Sequence, residues 1–95
     1  MFDFDDGNGP VPAKRHCNPD GSEGGWVADT ATVEATVYVG PNACVFGRAW
    51  VSGNAKVFGN AKVSGNARVY GDAKVSGNAK VSGNAWVSGN ARVFR

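Results

Sequence analysis

Three side chains in this sequence have the chemistry of a nucleophile, a general base or a soft metal ligand: His16 and Cys17, adjacent in "KRHCNPDG", and Cys44. An imidazole can take a proton from a hydroxyl or amine, and a thiolate can attack a carbonyl when a base is placed beside it. The same groups can hold zinc, but His16, Cys17 and Cys44 fall well short of a recognised zinc ligand spacing. The acidic stretch "FDDG", residues 4–7, lacks the spaced carboxylates and closing Glu of a calcium loop. The sequence therefore predicts no catalytic residue, no cofactor and no metal ligand.

A second group is defined by spacing. Trp50, Arg68 and Trp86 recur every 18 residues, and Tyr70 lies two places beyond Arg68. An indole, a guanidinium and an indole could make cation–π contacts or present a binding strip, provided that the chain returns to the same place every 18 residues. The element that would do so is written along the chain. Counting by sixes from Val27 lands on valine twelve times in succession, ending at Val93, and a small residue, usually Ala, stands two places before each. From Ala49 onward nearly every unit closes with Gly and Asn, giving the consensus A-x-V-x-G-N. Ala and Val alternate at the period of a strand, while Gly and Asn tolerate the left-handed backbone of a corner. One such unit cannot bury its apolar side, but stacked units can, so the repeat predicts an all-β, single-domain parallel β-helix. Leu and Ile are absent, so the core must be built almost wholly from Val and Ala.

Read from each Val, the pattern V-x-G-N-A-x resembles the hexapeptide-repeat family over residues 25–95. The resemblance implies a left-handed, triangular solenoid with three hexads per 18-residue coil, hence about four coils here; handedness comes from the resemblance alone. Many proteins of that family are acyltransferases, which use a His base in a cleft between coils or subunits. The only His of this chain precedes every coil, and no long loop interrupts the hexads to fold over a coenzyme A arm. The G-N-A-x-V-x units behind "GGWVADTA" look most like small bacterial and phage hexapeptide-repeat proteins, mostly without assigned activity. Trimers packed along their helix axes also occur in the family.

With an 18-residue coil the outward positions sort into three faces. One carries Trp50, Arg68 and Trp86 with Tyr70 beside them; the others carry Phe46, Phe58 and Phe94 among lysines and arginines. The three Phe are expected to point outward, which argues for lateral contacts. Thr30, Thr32 and Thr36 are confined to the early hexads, which does not make the long Thr ladder of an ice-binding surface.

Residues 1–24 break the repeat and are rich in Gly, Pro and Asp, predicting an irregular amino-terminal segment. Phe2, Phe4 and Val11 could plug the first coil as a cap, since a solenoid end exposes strand edges and core; a docking arm is the rival role. Residues 1–36 hold seven acids against Lys14 and Arg15, a net of −5, whereas residues 37–95 hold eight bases against Asp72, a net of +7. The bases fall on all three faces rather than in one phosphate-tracking stripe, which argues against nucleic acid as partner. The last hexad, "ARVFR", places Phe94 and Arg95 on a basic end with open edges, expected to dock on the leader end of a second copy or on another acidic surface.

Neither a signal peptide nor a membrane-spanning run is readable, and two cysteines are too few for a disulfide framework, so the compartment stays open between cytoplasm and a surface, virion or extracellular filament. The expected function is a non-enzymatic structural and interaction β-solenoid, a homo-oligomer (trimer or head-to-tail filament) or part of a larger assembly. The alternatives are an acyltransferase-like domain and a carbohydrate-binding module using the Trp50, Arg68, Trp86 face.

Overall fold

The computed structural model describes residues 2–4 and 9–94. Fifteen short strands follow in chain order: β1 (Phe2–Asp3), β2 (Pro10–Val11), β3 (Ala13–Cys17), β4 (Glu23–Ala28), β5 (Thr32–Val33), β6 (Tyr38–Val39), β7 (Cys44–Val45), β8 (Trp50–Val51), β9 (Lys56–Val57), β10 (Lys62–Val63), β11 (Arg68–Val69), β12 (Lys74–Ser76), β13 (Lys80–Val81), β14 (Trp86–Val87) and β15 (Arg92–Phe94). Among the described residues there is no helix. From β4 onward every third strand joins the same parallel sheet, giving a first wall of β4, β7, β10 and β13, a second of β5, β8, β11 and β14, and a third of β6, β9, β12 and β15. Partners are 18 residues apart throughout, as in Val45↔Val63↔Val81. The chain is thus an all-β parallel solenoid of about four coils, as the hexads predict.

The valines point inward because strand side chains alternate and only one side can be dry. Val39, Val45, Val51, Val57, Val63, Val69 and Val75 are all fully buried, interleaved with Ala55, Ala61, Ala67 and Ala73. At the corners Gly47 and the glycine of each later hexad take positive φ, as at Gly65 (φ 65). Corners also stack closely: a Cβ on Gly47 would lie 2.8 Å from the amide nitrogen of Gly65. Beside them, Asn60 Nδ2 donates to Asn78 Oδ1 at 3.3 Å and Asn66 Nδ2 to Asn84 Oδ1 at 3.4 Å. In the first coil Thr30 and Thr36 stand in for this arrangement, their hydroxyls donating to the carbonyls of Gly47 and Gly53.

The amino-terminal segment departs from the irregular structure expected of residues 1–24. Part of its Gly, Pro and Asp signal, "NPDG", forms a turn in which Asn18 N donates to Ser22 O and Gly21 N to Asn18 O, both at 2.9 Å. On either side, β3 pairs antiparallel with β4 in the registers Lys14↔Val27 and Arg15↔Trp26, adding a fifth strand to the first wall. Strand β4 therefore begins at Glu23, ahead of the expected boundary at residue 25. Gly25 is required there, since a Cβ would collide with the carbonyl oxygen of Ala43.

The expected cap also sits elsewhere. β1 and β2 form a second antiparallel pair, Phe2↔Val11, lying on the outside of the first wall. Phe2 stacks on Trp26 and Phe4 on Phe46, each with ring centroids 4.8 Å apart. Phe2, Phe4 and Val11 thus cover a side of the solenoid and do not plug its bore. Phe46 points outward as its register requires, but Phe4 buries it, so it is not the exposed contact expected of it.

Candidate interaction wall

The second wall carries the predicted aromatic strip. β8, β11 and β14 align Trp50↔Arg68↔Trp86, and their outward side chains, with Glu34, Ser52 and Tyr70, line an open groove of about 260 Å³. Trp50 is 48% exposed, Trp86 63% and Tyr70 37%, large values for side chains of this size. Arg68 does not bridge both indoles: its Cζ lies 5.4 Å from the Trp86 ring centroid, and no such contact is made with Trp50. Tyr70 meets Trp86 edge-on at 6.4 Å. The guanidinium thus rests on one of the two indoles, and Trp50 keeps an exposed face with no cation–π contact. Glu34 Oε1 accepts a hydrogen bond from Gly53 N at 3.0 Å, which ties the exposed carboxylate to the edge of the groove.

The other two walls have a different chemistry. On the third wall Lys56, Lys74 and Arg92 stack in register, with Phe58 36% exposed beside them. On the first wall Lys62 stacks on Lys80. The ion pair formed among the described residues, Arg15–Glu23 at 3.8 Å, involves none of these five cations. The backbone of Phe94 pairs with Ser76, and Arg95 lies outside the described residues.

At the amino-terminal end, side chains of the leader occupy strand edges. Asn18, only 3% exposed, donates from Nδ2 to Val39 O at 3.1 Å and accepts from Val39 N through Oδ1 at 2.9 Å. His16 Nε2 lies 2.7 Å from Val37 O, so it carries the proton and donates. Together they satisfy the edge of β6, while β3 covers that of β4. The remaining edge, β5, borders an open mouth of about 450 Å³ lined by Val27, Ala31, Val33, Lys14, His16 and Asp29. Cys17 is exposed, and Cys44 is half-buried under the leader, where burial pushes its thiol pKa up against the smaller opposing influence of Lys62 and Arg15. No grouping of three His, Cys, Asp or Glu side chains able to hold a metal occurs among the described residues.

Sequence reasoning missed Asn18 and Glu34. Asn18 reads as an ordinary turn former in "NPDG", and only its burial against Val39 reveals its edge-pairing role. The 18-residue period puts Glu34 on the wall of Ser52, but its bond to Gly53 depends on side-chain reach.

Two stretches of the chain, residues 61–75 and 73–89, match the family model described as the YdcK beta solenoid repeat. No curated protein and no solved structure matches the chain. The match and the stacked coils together make this a β-solenoid repeat protein.

Proposed function

We propose that the chain is a non-enzymatic structural and interaction module, a left-handed hexapeptide-repeat solenoid that docks by charge into a surface, virion or filament assembly. The observation that carries this reading is the stacking of Lys56, Lys74 and Arg92 in register with no acid between them. Like charges directly opposite one another in a sheet are destabilising, and an acidic surface laid along the ladder relieves that repulsion. Phe58 offers an apolar anchor on the same wall. The same ladder disfavours a wall-to-wall contact between identical third walls. It favours a heterologous one, in which the cationic wall of one copy meets the acids of another's leader, such as Asp20 and Glu23.

Acyl transfer has little support in the geometry. His16 spends its Nε2 proton on Val37 O and holds a strand edge. Isothermal calorimetry with acetyl-coenzyme A is expected to give no heat of binding; micromolar binding abolished by His16→Ala would restore the enzyme reading. For the docking itself, Lys56→Glu/Lys74→Glu is the direct test. The double variant should lose association seen with the wild type at low salt while keeping the same circular dichroism. Unchanged association would remove the third wall from the account.

A further inference from the structure

The three walls divide their chemistry sharply. Lysine stacks on the first and third, whereas the second has none: its outward residues are Thr32, Glu34, Trp50, Ser52, Arg68, Tyr70, Trp86 and Ser88, with one acid balancing one base. A phosphate or polyuronate chain would be drawn to the lysine ladders, whereas the groove, with Glu34 offsetting Arg68, has no net charge to hold it. A purely apolar ligand would leave the Glu34 carboxylate and the hydroxyls of Ser52 and Tyr70 unused. What uses all of these groups is a ligand with flat C–H faces and a rim of neutral hydroxyls.

We propose that the second wall is a binding site for a neutral glycan chain running along the coil axis, with one sugar ring stacked on Trp50 and another on the exposed part of Trp86. Parallel strands rise about 4.8 Å per coil, so Trp50 and Trp86, two coils apart, are separated along the axis by about 9.6 Å. An extended β-linked pyranose chain advances by roughly the same distance per ring as the solenoid does per coil, so alternate rings meet the two indoles. Arg68, steadied over Trp86, donates to ring hydroxyls between them, and the Glu34 carboxylate accepts from a hydroxyl at the Trp50 end. The groove is open and about 260 Å³, smaller than the roughly 300–1,000 Å³ of an enclosing small-molecule pocket, which suits the side of a polymer better than a whole free ligand. The site rests on the reading of the chain as a non-enzymatic interaction module, but uses a different wall from the charge-driven docking.

The test is tryptophan fluorescence in a Trp26→Phe background, where Trp50 and Trp86 carry the signal. The probes are hexasaccharides of β1,4-linked glucose and of β1,4-linked N-acetylglucosamine, a polyuronate hexamer, and single-stranded oligothymidylate. One of the neutral hexasaccharides should give a saturable change. Trp50→Ala should weaken it at least about tenfold and Glu34→Gln several-fold, both with unaltered circular dichroism, while Phe58→Ala on the third wall leaves it unchanged. The proposal is overturned if neither neutral sugar saturates up to about 1 mM, if polyuronate or oligothymidylate binds more tightly, or if Trp50→Ala binds as well as the parent. Loss of glycan binding with salt-dependent association intact would sink the glycan site alone; loss of both would sink the interaction reading as well.

Discussion

The side-chain amide of Asn18 faces Val39 as a neighbouring strand would: Nδ2 donates to the Val39 carbonyl at 3.1 Å and Oδ1 accepts from the Val39 amide at 2.9 Å. A single carboxamide thus supplies the donor and the acceptor that an absent coil would have provided. Asn18→Ala leaves both backbone groups of Val39 unpaired beside the core, at about 1–3 kcal/mol for each buried unsatisfied group. The expected loss in urea denaturation is about 2–6 kcal/mol, accompanied by faster hydrogen exchange at the Val39 amide. Asn18→Asp keeps only the acceptor and should also destabilise. Wild-type stability in both variants would mean that the contact contributes nothing.

The inward register makes Val63 and Ser64 unequal neighbours. Val63 is fully buried, whereas Ser64 faces partly outward. Val63→Asp puts an uncompensated carboxylate in a Val and Ala bore, costing several kcal/mol out of a total stability of about 5–15. The variant should lose its β-sheet circular dichroism, and Ser64→Asp should shift the denaturation midpoint only slightly. Equal losses would refute the assignment of faces.

Glycine is needed at the corners for two separable reasons. Gly83 takes φ 63 but has open space where a Cβ would go, whereas Gly47 takes φ 69 and has Gly65 N 2.8 Å from that position. Gly83→Ala should therefore cost only the left-handed backbone penalty, about 1–2 kcal/mol. Gly47→Ala must in addition push two coils apart and should be clearly worse in the same denaturation assay.

Cys44 gives the fold a pH dependence. Its thiol pKa is raised above the ordinary 9.0 by burial, so the folded state holds the neutral thiol more firmly than the unfolded chain does. That contribution is complete below the ordinary value and is lost as pH rises through it towards the folded value. Stability of the wild type should fall relative to Cys44→Ala above about pH 9, measured by denaturant titration at a series of pH values. Alkylation of the native protein should also reach exposed Cys17 well before Cys44. Parallel stability curves for the two proteins would contradict the assignment.

The coils were legible in the sequence because their causes are local and repeated. Val at every sixth place marks the dry side, and Gly-Asn marks the corner, so spacing alone sorts faces such as that of Trp50, Arg68 and Trp86. What could not be read depends on contacts without a period. Phe46 is outward by register and buried by Phe4, which comes from a leader with no repeat. Arg68 rests on one of two equivalent indoles through a side-chain choice that spacing does not encode. The leader's strand "AKRHC" lacks a clear apolar alternation, and its pairing with β4 shows only in the fold. Charge counting was informative for the walls but misleading for the amino-terminal mouth, where Lys14 and Arg15 lie beside Asp29 despite the acidic total of residues 1–36.

The proposed docking depends on unlike charges brought together by the Lys56, Lys74, Arg92 ladder, and light scattering as a function of salt tests it most directly. At about 0.01 M salt, where screening extends over about 30 Å, the mass of the wild type at high protein concentration should exceed the 9.8 kDa of one chain. It should fall towards that value as salt approaches about 1 M, where charges beyond about 3 Å are screened. A mass of 9.8 kDa at every salt concentration, or a larger mass indifferent to salt, would contradict self-docking by charge.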